Sequence, residues 1–366
     1  MVTLKILSTE PSNFIYWNVM KNYFMLITKL LLVLCILMVG TLAQSLEYSE
    51  PTTLGYAARN KLKKVYQAVG LAQDVQEATK VLDLLSESWS RYDTETRWAN
   101  NLTGDLCPLE FSLTFKGNEK LPIVRFLIEP QESPFTIQSS WKVGLELKEK
   151  LKVLPGVDVS KFDKIYPIFS PLANPQTPST YESFSIWYAA DLGHNHPQFK
   201  VYLNPRILGE KKAPEFVQKA LTILNSKVAW NFLFPRLSNS ESKLAFLSLD
   251  LSTGVEARIK VYVADQLINT IEKQLQGCRY YVNDTASSWI KTLINKEDFF
   301  NVKPIVITFN FTTGNDLPVP TVHIPVHAYV KNDKIVIQRL NKLLSPNQIK
   351  LLTTIISQIS ERPLES

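Results

Sequence analysis

Residues 198–205 read QFKVYLNP, and residues 257–263 read ARIKVYV. Lys-Val-Tyr stands in both, flanked by apolar residues, with the lysines at 200 and 260. Each copy alternates with the period of a β-strand, so Lys200 and Tyr202 share one face, as do Arg258, Lys260 and Tyr262. Each copy is also the second half of a longer pattern. YESFSIWYAADLGHNHPQFKVYLNP (181–205) and SKLAFLSLDLSTGVEARIKVYVAD (242–265) are two alternating runs around a turn, the signature of a hairpin. Two further stretches follow the same plan: PLEFSLTFKGNEKLPIVRFLIEP (108–130) and KPIVITFNFTTGNDLPVPTVHIPVHAY (303–329). The four hairpins begin in steps of 73, 61 and 61 residues.

The segments between them have helical spacing. In NKLKKVYQAVGL the apolar Leu62, Val65, Val69 and Leu71 recur roughly every turn, and DVQEATKVLDLLSESW behaves alike. Helices are also predicted over 139–152, around PEFVQKALTILNSKVAWNFL, over 265–275 and 284–296, and near 344–360; residues 167–178 form a Pro-rich loop. Helix, helix, strand, strand is thus an internal repeat. The fold class is α+β: an antiparallel β-barrel of repeated αββα units with helices outside, because a sheet that closes on itself has no exposed edges.

The strand alternation says what lies inside. Val124, Phe126, Val201, Ile259 and Val261 suit packing under outer helices. The opposite face carries Glu110, Ser112 and Thr114 in the first hairpin, with Arg125, Lys200, Arg258, Lys260, Tyr202 and Tyr262 further on, and His323 and His327 in the second strand of the fourth hairpin. A polar inner face implies a ligand-filled or solvent-filled tunnel. Four cations converge on it, and buried cations need an anion, which phosphate oxygens supply well. Tyrosine faces beside them attract a cation. Asp191 and Asp250, closing the first strands of the second and third hairpins, are read as turn residues.

Composition narrows the classes. The 366-residue chain carries a net charge of +6, with the basic residues dispersed. A nucleic-acid surface would cluster them. Three cysteines, Cys35, Cys107 and Cys278, give no disulfide framework, and His194, His196, His323 and His327 lack metal-ligand spacing. Residues 30–43, LLLVLCILMVGTLA, resemble a signal-peptide h-region too short to span a membrane. Residues 1–45 are therefore set apart as a hydrophobic leader, from a signal or an upstream start, and 46–366 as the barrel domain. The location is read as cytoplasmic, the alternative being export or membrane tethering through residues 20–44. Sequons stand at Asn101, Asn283 and Asn310. There is no DDxxD, and NDTASSWIK (283–291) ends in Lys291 where a metal clamp needs a carboxylate, so it reads as a helix N-cap at Asn283 or Asp284.

PLEFSLTF with VRFLIEP, FKVYLNP, LSLDL with ARIKVYV, and TVHIPVHAY with VKND occur in an order that resembles the aromatic prenyltransferases of the dimethylallyltryptophan synthase type. The bacterial indole prenyltransferases are the nearest match, over about residues 50–366. The resemblance implies a ten-strand barrel of five αββα units with its active site in the lumen. It implies transfer of a dimethylallyl or geranyl group from an allylic diphosphate to tryptophan or another aromatic acceptor. Glu110 would accept the indole N–H. Arg125, Lys200, Arg258 and Lys260 would bind the diphosphate, and Tyr202 and Tyr262 would shield the allylic cation. His323, His327 and Trp187 complete the candidates, with Trp187 and Phe184 shaping the acceptor pocket. No cofactor is required, Mg²⁺ being at most stimulatory, and no metal site, nucleic acid or further partner is implied for a monomer or homodimer.

Two departures from the family pattern are expected to matter. Thr321 and His323 stand where the family commonly has Lys or Gln and then Tyr. The fifth hairpin, which the family places after the last helix, is not found there. Either the barrel closes differently or the chain is C-terminally truncated; the expectation taken is an incomplete barrel of about eight strands with its first and last strands unpaired and little or no activity. The alternative function is a catalytically degenerate barrel that binds an aromatic or a diphosphate.

Overall fold

The computed structural model describes residues 2–8, 30–36, 53–96, 102, 107–116, 121–173, 184–193, 196–238, 242–295 and 302–359. In chain order the strands are β1 (Val2–Ser8), β2 (Leu30–Ile36), β3 (Leu109–Lys116), β4 (Ile123–Ile128), β5 (Ile186–Asp191), β6 (Gln198–Leu203), β7 (Lys243–Asp250), β8 (Ile259–Asp265), β9 (Ile305–Phe311) and β10 (Val319–Ile324). The four hairpins expected from the alternation are β3–β4, β5–β6, β7–β8 and β9–β10. They build an eight-strand, curled antiparallel sheet.

The unpaired edges expected for that sheet are not found. β1 pairs with β10, with Leu4 opposite Ile324 and Leu7 opposite Thr321, and β2 pairs with β3, with Leu31 opposite Lys116 and Ile36 opposite Phe111. β1 and β2 pair with each other, and the ring is closed. The closing hairpin comes from within residues 1–45. Its second strand, LLLVLCI, is an unbroken apolar run, and such a run does not distinguish strand from helix or h-region by periodicity. The ring is therefore built from both sides of residue 45.

Two helices follow every hairpin. After β2 come α1 (Leu54–Ala68) and α2 (Val75–Ser86), after β4 α3 (Ile137–Lys152) and α4 (Ser160–Ile165), and after β6 α5 (Ala213–Ile223) and α6 (Lys227–Ser238). After β8 come α7 (Ile268–Leu275) and α8 (Thr285–Ile294), and after β10 α9 (Asp333–Leu340) and α10 (Pro346–Ile359). Counted from the hairpin, the described elements make five strand–strand–helix–helix units, and α10 packs back on α1.

The main core lies between helices and sheet. The outward strand residues Phe126, Tyr188, Val201, Leu249, Val261 and Phe309 are fully buried there, with Leu62, Leu82, Leu151, Val217, Ile271 and Leu293 from the helices. α3 shows how closely the layers approach. A Cβ at Gly144 would come 2.5 Å from Ile186 Cγ2, and Tyr188 Oη donates to the Gly144 carbonyl at 2.7 Å. The start of α3 is fixed by a capping box in which Thr136 and Ser139 satisfy each other's backbone N–H. At α8 Asp284 holds the N-cap position, as expected, but its side chain makes no cap hydrogen bond. Asn310, one of the sequons, is a buried residue of β9; Asn101 lies outside the described residues.

Candidate active site in the barrel lumen

Strand register carries the inward residues across the sheet in lines. From Glu110 on β3 the line runs to Leu127, Ala189, Lys200 and Asp250. One step along, it runs from Trp187 to Tyr202, Ser248, Lys260 and Asn310. The next joins Phe246, Tyr262, Thr308 and Thr321. All ten candidates but one thus lie on the inner face. The exception is His327, expected in the last strand with His323. The strand ends at Ile324, and His327 falls in a 3-10 turn, Val326–Tyr329, after Pro325, which offers no N–H to extend the ladder.

The lumen has a charged end and an aromatic end. At the charged end β5 and β7 finish and β6 and β8 begin. Asp191 receives Arg125 and Lys200: Arg125 Nη2 donates to Asp191 Oδ2 at 2.9 Å, and Arg125 Nε and Lys200 Nζ complete the pairings. Asp250 receives Arg258 and Lys260, from Nε at 2.6 Å and Nζ at 2.8 Å, and also the Arg258 backbone N–H at 3.2 Å. The turn role expected of the two aspartates is therefore corrected: each is a counter-ion. Their residues are 5 and 8% exposed, and Lys200 and Lys260 only 1 and 5%. The sequence held the signal, since each Asp precedes its Lys-Val-Tyr lysine by nine or ten residues in consecutive repeats.

Burial opposes every charge here, and the neighbours decide the balance. Burial would raise Asp191, but Arg125 and Lys200 hold its carboxyl well below the usual range; Lys260 and Arg258 do the same for Asp250. Burial, then the repulsion of Arg125, draws Lys200 well down, against the attraction of Asp191. Burial and Arg258 draw Lys260 down to about 8, against Asp250. The cluster contains four basic side chains and two carboxylates, so with its lysines protonated it carries positive charge for an anionic ligand.

At the aromatic end Phe184 stacks on Trp187, with ring centroids 3.9 Å apart, and Phe246 lies 5.3 Å from Trp187. Tyr202 and Tyr262 follow, and His323 lies 5.6 Å from Tyr262 with Nε2 2.7 Å from Thr308 Oγ1. Phe184, Trp187, Tyr202 and Tyr262, with Leu102, Ala189 and Ala245, form an apolar cluster separate from the main core, and Phe246 packs against it. Burial raises both tyrosine phenols, so they stay neutral. Glu110 lies at this end, on the first half of β3 and partly buried, and its charge acts on Lys303. Thr321 donates no charge; it accepts from Asn310 Nδ2 at 3.1 Å.

Sequence reasoning also passed over Glu129, at the end of β4 in FLIEP. Its residue is 0% exposed. Burial pushes its carboxyl well above the ordinary value, outweighing Trp187 and Gln131, which favour the anion. Nothing in an apolar strand end ahead of a proline marks such a carboxyl as buried.

Among the described residues, no group of three or more His, Cys, Asp or Glu could hold a metal ion, and no helix is long and apolar enough to cross a membrane.

A family model described as tryptophan dimethylallyltransferase matches residues 78–350. The chain belongs to this family. The tryptophan dimethylallyltransferases are transferases, and solved structures share the barrel. The 6-dimethylallyltryptophan synthase from Micromonospora olivasterospora, in complex with DMASPP and Trp, is similar with a TM-score of 0.77 at 22% identity, over 86% of this chain and 90% of that one. The 5-dimethylallyl tryptophan synthase from Streptomyces coelicolor, in complex with DMASPP and Trp, gives 0.76 at 25% identity, over 86 and 88%. The prenyltransferase PriB, in a ternary complex with L-tryptophan and dimethylallyl thiolodiphosphate, gives 0.75 at 23% identity, over 85 and 88%. Among curated proteins, none matches.

Proposed function

We propose that this tryptophan dimethylallyltransferase-family protein transfers a prenyl group, dimethylallyl or geranyl, from an allylic diphosphate to tryptophan or another indole. The observation that carries this reading is the division of one lumen into a cationic end and an aromatic end, with a carboxylate, Glu110, at the aromatic end. Arg125, Lys200, Arg258 and Lys260 bind the diphosphate and stabilise it as the allylic C–O bond breaks. Tyr202 and Tyr262 face the allylic cation, keep water from it and attract it through their ring faces. The indole ring attacks the cation while Glu110 accepts a hydrogen bond from the indole N–H, and the proton displaced from the alkylated ring position passes to the Glu110 carboxylate, which restores aromaticity. Trp187 and Phe184 form the acceptor wall, and His323 with Thr308 closes the lumen beside Tyr262.

The four cations take the load that a metal clamp carries elsewhere, so no cofactor is assigned, with Mg²⁺ as a stimulant only. The catalytic domain is proposed to comprise 46–366 together with the strand residues 2–8 and 30–36. A cytoplasmic location fits the free, buried thiol of Cys278 and the burial of the sequon Asn310.

The test is incubation of the purified chain with dimethylallyl or geranyl diphosphate and L-tryptophan, read by mass spectrometry. A prenylated acceptor is expected. Pyrophosphate binding without any prenylated product would leave a binding barrel instead.

A further inference from the structure

The two aspartates of the lumen face a difficulty that the proposed reaction creates. A diphosphate needs the N–H donors of Arg125, Lys200, Arg258 and Lys260, and in the structure those donors bond to Asp191 and Asp250. Carboxylates beside an anion-binding site weaken the anion's attraction. Yet the arrangement is built twice, at the last residue of β5 and of β7, and each copy takes one arginine and one lysine.

Resting on the reading of the lumen as a diphosphate site, we propose that Asp191 and Asp250 are positioning residues: internal anions that oppose the loss of charge by the two buried lysines and hold the four basic side chains aimed while the lumen is empty, and yield donors when a diphosphate enters. A buried ammonium without an anion neutralises itself rather than stay charged. Lys260 faces Asp250 and Ser248 on β7, Arg258 and Tyr262 on its own strand, Asn310 on β9, Lys200 and Tyr202 on β6, and Arg125 on β4. The charged members are three cations and one bonded carboxylate, with Asp191 already committed to Arg125 and Lys200. Take away Asp250, and burial acts together with the repulsion of Arg258 and Arg125, with nothing left to oppose them. Lys260, already drawn to about 8, falls further. Lys200 stands in the same relation to Asp191, and Asp250 lies opposite it in the β6–β7 ladder.

The experiment is calorimetric titration of the full chain with inorganic pyrophosphate between about pH 6 and 9.5, beside Asp191→Asn, Asp250→Asn and Asp250→Glu; opposite charges at this range shift a pKa by about 1–3 units. The ligand's own ionisation is common to all four and cancels in the comparison. Expected is a wild-type affinity that weakens as pH rises through about 8. In Asp250→Asn the weakening begins about one pH unit or more lower, while affinity near pH 6 is kept or improved. Asp250→Glu restores the wild-type profile, and Asp191→Asn shifts it as Asp250→Asn does. A loss by the same factor at every pH, or a profile that does not move, overturns the proposal, because a merely structural aspartate behaves that way. Should Asp250→Asn not fold, Asp191→Asn and Asp250→Glu give the answer, and Lys260→Arg, whose charge does not titrate, must bind more tightly relative to wild type as pH rises through about 8. If the wild-type chain binds no pyrophosphate at any pH, the reading of the lumen itself fails, a different result.

Discussion

The rings of Tyr202 and Tyr262 lie 5.8 Å apart at an angle of 50°. They are the third residues of the two Lys-Val-Tyr copies, brought side by side because β6 and β8 flank β7. Each lysine therefore carries its tyrosine two residues further along the strand, away from the charged end. Replacing Tyr262 by leucine keeps the wall apolar and removes the ring face. A cation–π contact is worth about 0.5–2 kcal/mol. We expect the ratio of dimethylallyl alcohol to prenylated product to rise roughly 2- to 30-fold, measured by chromatography of the two products.

Glu110→Gln preserves size and removes the acceptor of the indole proton. General-base assistance contributes about 10²–10⁴-fold. The turnover number is expected to fall in that range, while the dissociation constant for pyrophosphate, set at the far end of the lumen, stays within about twofold. Loss of both together would place Glu110 in the diphosphate site instead.

Lys200→Met and Lys260→Met each remove a charge-assisted donor, worth about 1.5–3 kcal/mol. The donor KM is expected to rise by roughly 10- to 150-fold in each, with the acceptor KM little changed. Steady-state kinetics with each substrate varied in turn separates the two.

Glu129 predicts a pH dependence of stability with a definite sign. Its folded-state pKa is raised, so the folded protein keeps a proton that the unfolded chain releases. The group's stabilising contribution is whole below the unfolded carboxylate value of about 4.3 and is lost as pH rises through the folded value. The slope reaches at most about 1.4 kcal/mol per pH unit. Glu129→Gln stays neutral throughout. The difference in unfolding free energy between variant and wild type, from urea titrations at several pH values, should move in favour of the variant as pH rises from 5 to 8. A constant difference would show that the carboxyl ionises normally.

Deleting residues 1–45 removes β1 and β2 and leaves β3 and β10 each with one unpaired edge. Unpaired strand edges template association. The shortened chain is expected to elute as aggregate in size-exclusion chromatography and to lose turnover. A monodisperse, active product would show that the ring does not depend on that hairpin.

Much of this molecule was legible because a strand with one packed face and one polar face must alternate. SKLAFLSLD and ARIKVYV show that rhythm, and so the hairpins, the inner face and the convergence of Arg125, Lys200, Arg258 and Lys260 could be read. The pairings of Asp191 and Asp250 were missed because an aspartate beside a turn has a sufficient local reason to be there. Only the repeat, which sets each of them a fixed distance ahead of a lysine, argued otherwise. LLLVLCI was missed for the opposite reason: a run without alternation carries no face. His327 was misplaced because HIPVHAY keeps a strand-like rhythm across Pro325, where the ladder has already ended.

The pairing of Leu4 with Ile324 sets the order in which the molecule can be completed. Neighbouring hairpins such as β5–β6 and β7–β8 can meet soon after synthesis, their partners being close in the chain. β1 must wait for β10, which lies more than 300 residues further along the chain. Contacts of such sequence separation are the slow ones, and a sheet still open at both edges is the form most exposed to misassembly. The final seam of the ring is thus a timing device: a nascent chain of this protein stays dependent on protection until β10 has been made.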